Sequence, residues 1–228
     1  MQLNHFLPLG LSMVLTFSGV HAQMATNLAQ HMLIKISDKT LYGDPAAEKV
    51  DGTPFLNENF VDGVVYDNSA RFPGVPMRYN MYDDLIEFKQ GNQLWILDPQ
   101  PRVGRVELDG HIFVVDGYEF KGKIKQGFFL LLDTGKVTLL SKKMVTYREQ
   151  QPPKALESGP TPAKYSAAPD VFYFKIKDGA VGKVESIKKM IASFPDKQIE
   201  LTEFAKKEKI SPKKEEELIK LVRYYNSL

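Results

Sequence analysis

From Phe60 onward, short runs of β-branched and aromatic residues recur between Gly, Asp, Asn and Pro: "VDGVVY", "VPMRYNMY", "LIEFK", "QLWILD", "GRVEL", "HIFVV", "GFFLLLD" and "KVTLLSKKMVTY". Short strands at such even spacing predict an antiparallel meander, not alternating βα units. Asp109-Gly110 lies between two strand candidates and is a strong hairpin signal, because both central residues of a tight turn need positive φ. "DTGK" at 133–136 and "KQGN" at 89–92 read as similar connections with Gly in the left-handed region. The segments 85–89 and 93–97, 104–108 and 111–115, and 128–133 and 136–140 are therefore expected to pair as neighbours.

Residues 149–170, "EQQPPKALESGPTPAKYSAAPD", are proline-rich and predict an extended connection over the surface. A last strand, "VFYFKIK", follows, and then the period changes from two to 3.6. Ser186 can cap a helix carrying Ile187, Met190, Ile191 and Phe194 on one face, closed by Pro195. A second short helix holds Leu201, Phe204 and Ala205. A third is expected to start with Ser211 as N-cap and Pro212 as its first residue, with Leu218, Leu221, Val222 and Tyr225 as its buried stripe. The predicted class is mainly β with α: an antiparallel meander, as a curved sheet or partly open barrel, followed by a small C-terminal helical segment packed on it. Along the chain this gives a leader at 1–22, a β domain with an irregular lead-in at 23–148, the connection at 149–170, and the final strand with the helices at 171–228.

The leader alters the picture most. Residues 1–22 contain no Lys, Arg, Asp or Glu, and the apolar stretch Phe6 to Val20 ends in Val20-His21-Ala22, a small-x-small cleavage pattern. The stretch is shorter than a membrane-spanning helix requires, so export as a signal peptide is expected, with a mature chain from Gln23. The chain has no cysteine, so neither disulfides nor thiolate metal sites enter. The formal net charge of +2 gives no whole-protein field toward nucleic acid or an anionic membrane surface, so partners have to be argued locally. In "EFKGKIKQGFF", 119–129, the lysines read as gatekeepers flanking an apolar strand.

Candidate chemistry is sparse. Of the four histidines only His31 and His111 follow the leader, and no GxSxG, HExxH, phosphate-binding loop or calcium loop is present. No cofactor or metal is expected. "VPMRYNMYDDLIE", 75–87, is the exception: as a strand it puts Val75, Met77, Tyr79 and Met81 on a core face, and Pro76, Arg78, Asn80 and Tyr82 on the other. Arg78 is expected to pair with Glu87 across the strands. Asp83 and Asp84 are expected in a solvent turn, although with Glu87, and Asp98 after the next strand, they could also supply a calcium site or an acid and base. Asp83, Asp84 and Glu87 are the residues nominated for a hydrolase of glycan or peptide. Arg78, Asn80, Tyr82, Asp83, Asp84 and Glu87 are thus the candidate ligand-binding residues, and Trp95 is expected in the core.

The stretch "GTPFLNENFVDGVVYDNSARFPGVPMRYNMYDDLIEFK", with "GFFLLLDTGKVTLLSKK", "PAKY" and "LIKLVRYYN", resembles a family of exported β-rich proteins of outer-membrane-bearing bacteria, a domain without assigned function. The resemblance implies an envelope location and supplies no active-site residues. The expected role is a non-enzymatic binding or scaffolding protein of the periplasm or cell surface, with an envelope protein, glycan or lipid as partner. A carrier or sensor of an apolar or amphipathic molecule, held between sheet and helices, is the alternative.

Overall fold

A computed structural model describes residues 28, 35–36, 50–153 and 159–228 of the chain. The expected signal peptide and His31 lie outside the described residues. The strands are β1 (Lys35–Ile36), β2 (Val50–Asp51), β3 (Val61–Asp67), β4 (Arg71–Asn80), β5 (Leu85–Gln90), β6 (Gln93–Leu97), β7 (Val103–Leu108), β8 (His111–Phe120), β9 (Lys123–Asp133), β10 (Val137–Arg148), β11 (Ala163–Ile176) and β12 (Gly182–Lys183). Three helices follow: α1 (Ile187–Ala192), α2 (Gln198–Lys207) and α3 (Glu215–Ser227).

All the strands join one open sheet in the order β1-β6-β5-β4-β3-β7-β8-β9-β10-β11-β12, and β2 lies parallel to β11. The three expected hairpins are present as β5–β6, β7–β8 and β9–β10. The meander has a shared member: β3 pairs with β4 on one edge and with β7 on the other. A short link from Leu97 to Val103 carries the chain between those two arms. The sheet curls around a common core, in which Val75, Met77, Tyr79, Ile86, Phe88 and Leu97 of one arm meet Val106, Phe113, Phe128 and Leu130 of the other. Trp95 packs against that core half-buried, stacked on Phe88 at 6.3 Å between ring centres.

The helices cover the β10–β11 end. Val137, Leu139, Phe172 and Phe174 of the sheet pack against Met190, Ile191, Phe194, Leu201, Leu218, Leu221 and Val222. Period-3.6 apolar faces on α1 and α3 meet a period-2 apolar face on the sheet, so each buries what the other cannot cover alone. Ser186 caps α1 as expected, its Oγ accepting the Lys189 N–H at 3.2 Å.

Three details differ from the sequence reading. Strand β11 begins at Ala163, so residues 163–170 lie in the sheet and do not belong to the extended connection: residues 164–168 pair with β10, with Tyr147 opposite Tyr165, and Ala163 pairs with Val50 of β2. Pro169 falls where the register shifts, opposite the Lys142–Met144 irregularity, a place where sheets tolerate proline. Helix α3 starts at Glu215, after an N-cap at Lys214. Ser211 instead closes a local turn, its Oγ accepting the Lys213 N–H at 3.3 Å while Glu217 Oε2 accepts the Ser211 N–H at 2.7 Å.

Gly135 is the third. Its φ is not positive; what excludes a side chain there is Asn226 of α3, whose Cγ would lie 2.6 Å from an added Cβ. Asn226 Nδ2 donates to Val137 O (3.0 Å) and Asp133 Oδ1 (3.3 Å), and its Oδ1 accepts the Val137 N–H at 2.9 Å. One amide thus bonds both backbone groups of the first residue of β10. Asn226→Ala strands those groups and is expected to cost about 2 kcal/mol. Urea unfolding checks this, and a loss below about 0.5 kcal/mol would leave Asn226 without that role.

Candidate functional site

The β4–β5 turn is built by Asn80. Its Oδ1 accepts the N–H groups of Tyr82 and Asp83, both at 3.0 Å, and its Nδ2 donates to Asp83 Oδ2 at 3.0 Å. This is a side chain imitating a backbone turn. Asp84 then takes φ 57, a left-handed conformation that Asp tolerates better than most residues. The turn presents Tyr82 and Asp83 to solvent and sends Asp84 inward.

Asp84 is therefore not part of a solvent turn: it is 5% exposed. Strands β9 and β10 pair only from Leu130 and Ser141 toward their hairpin, and beyond that point they separate. The β4–β5 turn enters the gap. Asp84 Oδ1 accepts the Phe128 N–H at 3.3 Å and the Tyr79 hydroxyl at 2.9 Å, while Oδ2 accepts Lys142 Nζ at 2.6 Å. Lys142 Nζ also donates to Phe128 O at 3.1 Å. The ion pair thus answers both backbone groups of Phe128, which β10 does not reach. Lys142 is boxed by the rings of Tyr118 and Phe129, at 5.0 and 4.9 Å. Only glycine fits at 127, since an added Cβ would stand 2.8 Å from both Lys142 Nζ and Tyr118 Cε1.

Burial pushes the Lys142 ammonium below the usual lysine range, and the Asp84 carboxylate partly restores it. Burial, then the Asp84 charge, pushes the Tyr118 phenol up to about 12 and raises Tyr79 well above its ordinary value. A phenol raised on folding contributes stability that is complete below pH 10.0 and lost as pH climbs through about 12. Lys142 runs the opposite way, its cost shrinking toward pH 10.5, where the unfolded lysine also loses its proton. Stability is thus expected to fall from pH 10 to 12, with the Tyr79 and Tyr118 phenolates forming as the fold is lost. Near-UV absorbance and circular dichroism recorded together test this, and phenolate formation completed well before the loss of fold would contradict it.

Arg78 and Glu87 form the expected cross-strand pair. Arg78 Nε and Nη2 donate to Glu87 Oε2 at 2.9 and 2.7 Å, and Nη1 donates to Glu58 O at 3.0 Å. The guanidinium lies 3.5 Å from the Phe55 ring centre and 4.4 Å from that of Phe60. Glu87 is 1% exposed. The three candidate carboxylates do not converge: Glu87 turns to Arg78, Asp84 to Lys142, and Asp83 to Asn80.

What the turn does assemble is aromatic. Tyr82 meets Tyr147 of β10 and Tyr165 of β11, with ring centres 6.1 and 5.5 Å away, and those two lie 4.8 Å apart. Tyr82 and Tyr147 are 49% and 39% exposed. Tyr147 and Tyr165 were not identifiable from sequence, because the cluster draws on three separate segments.

Elsewhere, His111 is exposed, and among the described residues no group of three or more His, Asp or Glu could hold a metal. No helix among them is long and apolar enough to cross a membrane. A groove of about 570 Å³ lies between α1 and α2, lined only by residues of the 187–191 and 202–210 segments. No family model matches the chain, and neither a curated protein nor a solved structure matches it.

Proposed function

We propose that this is an exported, non-enzymatic binding or scaffolding protein of the bacterial cell envelope, which engages a partner protein through the patch formed by Tyr82, Tyr147 and Tyr165. The observation that carries the reading is the contrast between the two sides of the β4–β5 turn. On the inner side Asp84, Glu87 and Asn80 are committed to partners within the fold, whereas on the outer side the tyrosines pack on one another and are left partly exposed. Preorganised tyrosines give large contact area and a polar tip at small entropic cost, which makes them frequent anchors of interfaces. The signal-peptide pattern of 1–22 and the family resemblance support the compartment.

The hydrolase alternative is disfavoured because its carboxylates are separated and two of them are locked in ion pairs. A carrier holding its cargo between sheet and helices is disfavoured too, since Val137, Leu139, Phe174, Phe194 and Leu221 fill that space.

Native mass spectrometry of the protein from its host's envelope fraction, without detergent, tests the proposal. The mass of residues 23–228 plus a discrete protein component is expected, with the component lost in Tyr82→Ala/Tyr147→Ala. An uncleaved mass would contradict export, and a glycan or lipid as the retained component would contradict the partner class.

A further inference from the structure

The hairpin joining β8 to β9 carries a second surface, which the tyrosine patch does not explain. Strand β9 has β10 beside it only from Leu130 onward, and beyond the buried Tyr118, from Glu119–Ile124 outward, the two strands have only each other. The projecting ribbon closes in a tight two-residue turn, Lys121-Gly122, with φ of 51 and 75. Both values are what a type I′ hairpin requires, and they fix the tip as a stiff wedge.

The tip is apolar and basic together. Phe120 is 47% and Ile124 75% exposed, and Lys121, Lys123 and Lys125 surround them, all exposed. Register decides the geometry. Phe120 stands opposite Lys123, and Ile124 opposite Glu119, so Phe120 and Ile124 project from opposite faces of the ribbon. A flat protein surface would cover one of these faces and leave the other wet. A lipid interface entered edge-on covers both, while the lysines reach back to the phosphates.

Gatekeeping accounts for the lysines alone. It gives no reason for an isoleucine that is 75% exposed on the face opposite the phenylalanine.

We infer that the β8–β9 hairpin tip is a docking site for the surface of an anionic phospholipid bilayer, with Phe120 and Ile124 inserted at the headgroup level and Lys121, Lys123 and Lys125 on lipid phosphates. Neither residue type suffices alone, and together they supply the two signals that stable peripheral binding needs.

Flotation of the purified protein with vesicles tests the inference, using phosphatidylglycerol mixed into phosphatidylcholine against phosphatidylcholine alone. Binding is expected only with phosphatidylglycerol, and it weakens as salt rises. Lys121→Ser/Lys123→Ser/Lys125→Ser is expected to lower partitioning by about a hundredfold. Phe120→Ser/Ile124→Ser is expected to lower it by roughly tenfold or more. Both variants alter exposed side chains only, so unchanged circular dichroism and melting temperature exclude misfolding. The inference is overturned if the wild type does not float. It is overturned equally if the Phe120/Ile124 variant floats like the wild type, which would leave a general polyanion site.

Discussion

Asp84→Asn is expected to cost about 3–5 kcal/mol, lowering the melting temperature by about 6–20 °C. Asn keeps the volume and tolerates the left-handed backbone at this position, so the change isolates the charge. It leaves the Lys142 ammonium buried at 7% exposure with one carbonyl and two ring faces for company. Removing one member of a buried pair costs far more than the pair contributes, since the survivor loses its solvation without compensation. Lys142→Met added to Asp84→Asn is therefore expected to cost less than the sum of the two single changes. Equilibrium urea unfolding of the four proteins measures this. A single-variant loss below about 1 kcal/mol, or simple additivity, would mean that the gap between β9 and β10 is held by something other than the pair.

Phe194→Ala is expected to lose about 3–5 kcal/mol for a different reason. Phe194 is 1% exposed just beyond α1, stacked on Tyr225 of α3 at 4.6 Å and edge-on to Phe174 of β11 at 6.1 Å. One ring therefore joins two helices to the sheet, and its loss opens a cavity that rigid neighbours on three sides cannot close. Short amphipathic helices have little stability of their own. Helical and aromatic circular dichroism signals are thus expected to fall in one coincident transition at lower urea. Early melting of the helical signal, with the aromatic signal unchanged, would show that the tail is not part of the cooperative unit.

Much of the fold was legible because its signals are local. Asp109-Gly110 sets its hairpin by backbone conformation alone, and the alternation in 75–82 separates Tyr79 from Arg78 without reference to distant residues. Ser186 caps α1 with an atom three residues from its partner. What escaped is long-range or competitive. Tyr-Asp-Asp-Leu reads as a solvent turn, and nothing nearby announces that the curl of the sheet delivers Asp84 to Lys142, 58 positions away. The β8–β9 projection and the β10–β11 extension follow from where β9 and β10 part, which no local pattern marks. Ser211-Pro212 carries a good helix-start signal, yet Glu217 satisfies the Ser211 N–H from within α3 and the helix begins later. At Gly135 the residue type was informative but the reason was tertiary, set by a side chain near the far end of the chain.

The tyrosine patch is the central claim about function, and site-directed photo-crosslinking in the host envelope tests it most directly. A photoreactive phenylalanine at position 82 or 147 is expected to capture one discrete protein. The same group at position 199, a residue 80% exposed on α2, is expected to capture none. No adduct from positions 82 and 147, or the same adduct from position 199, would contradict the assignment of Tyr82, Tyr147 and Tyr165 as the binding face.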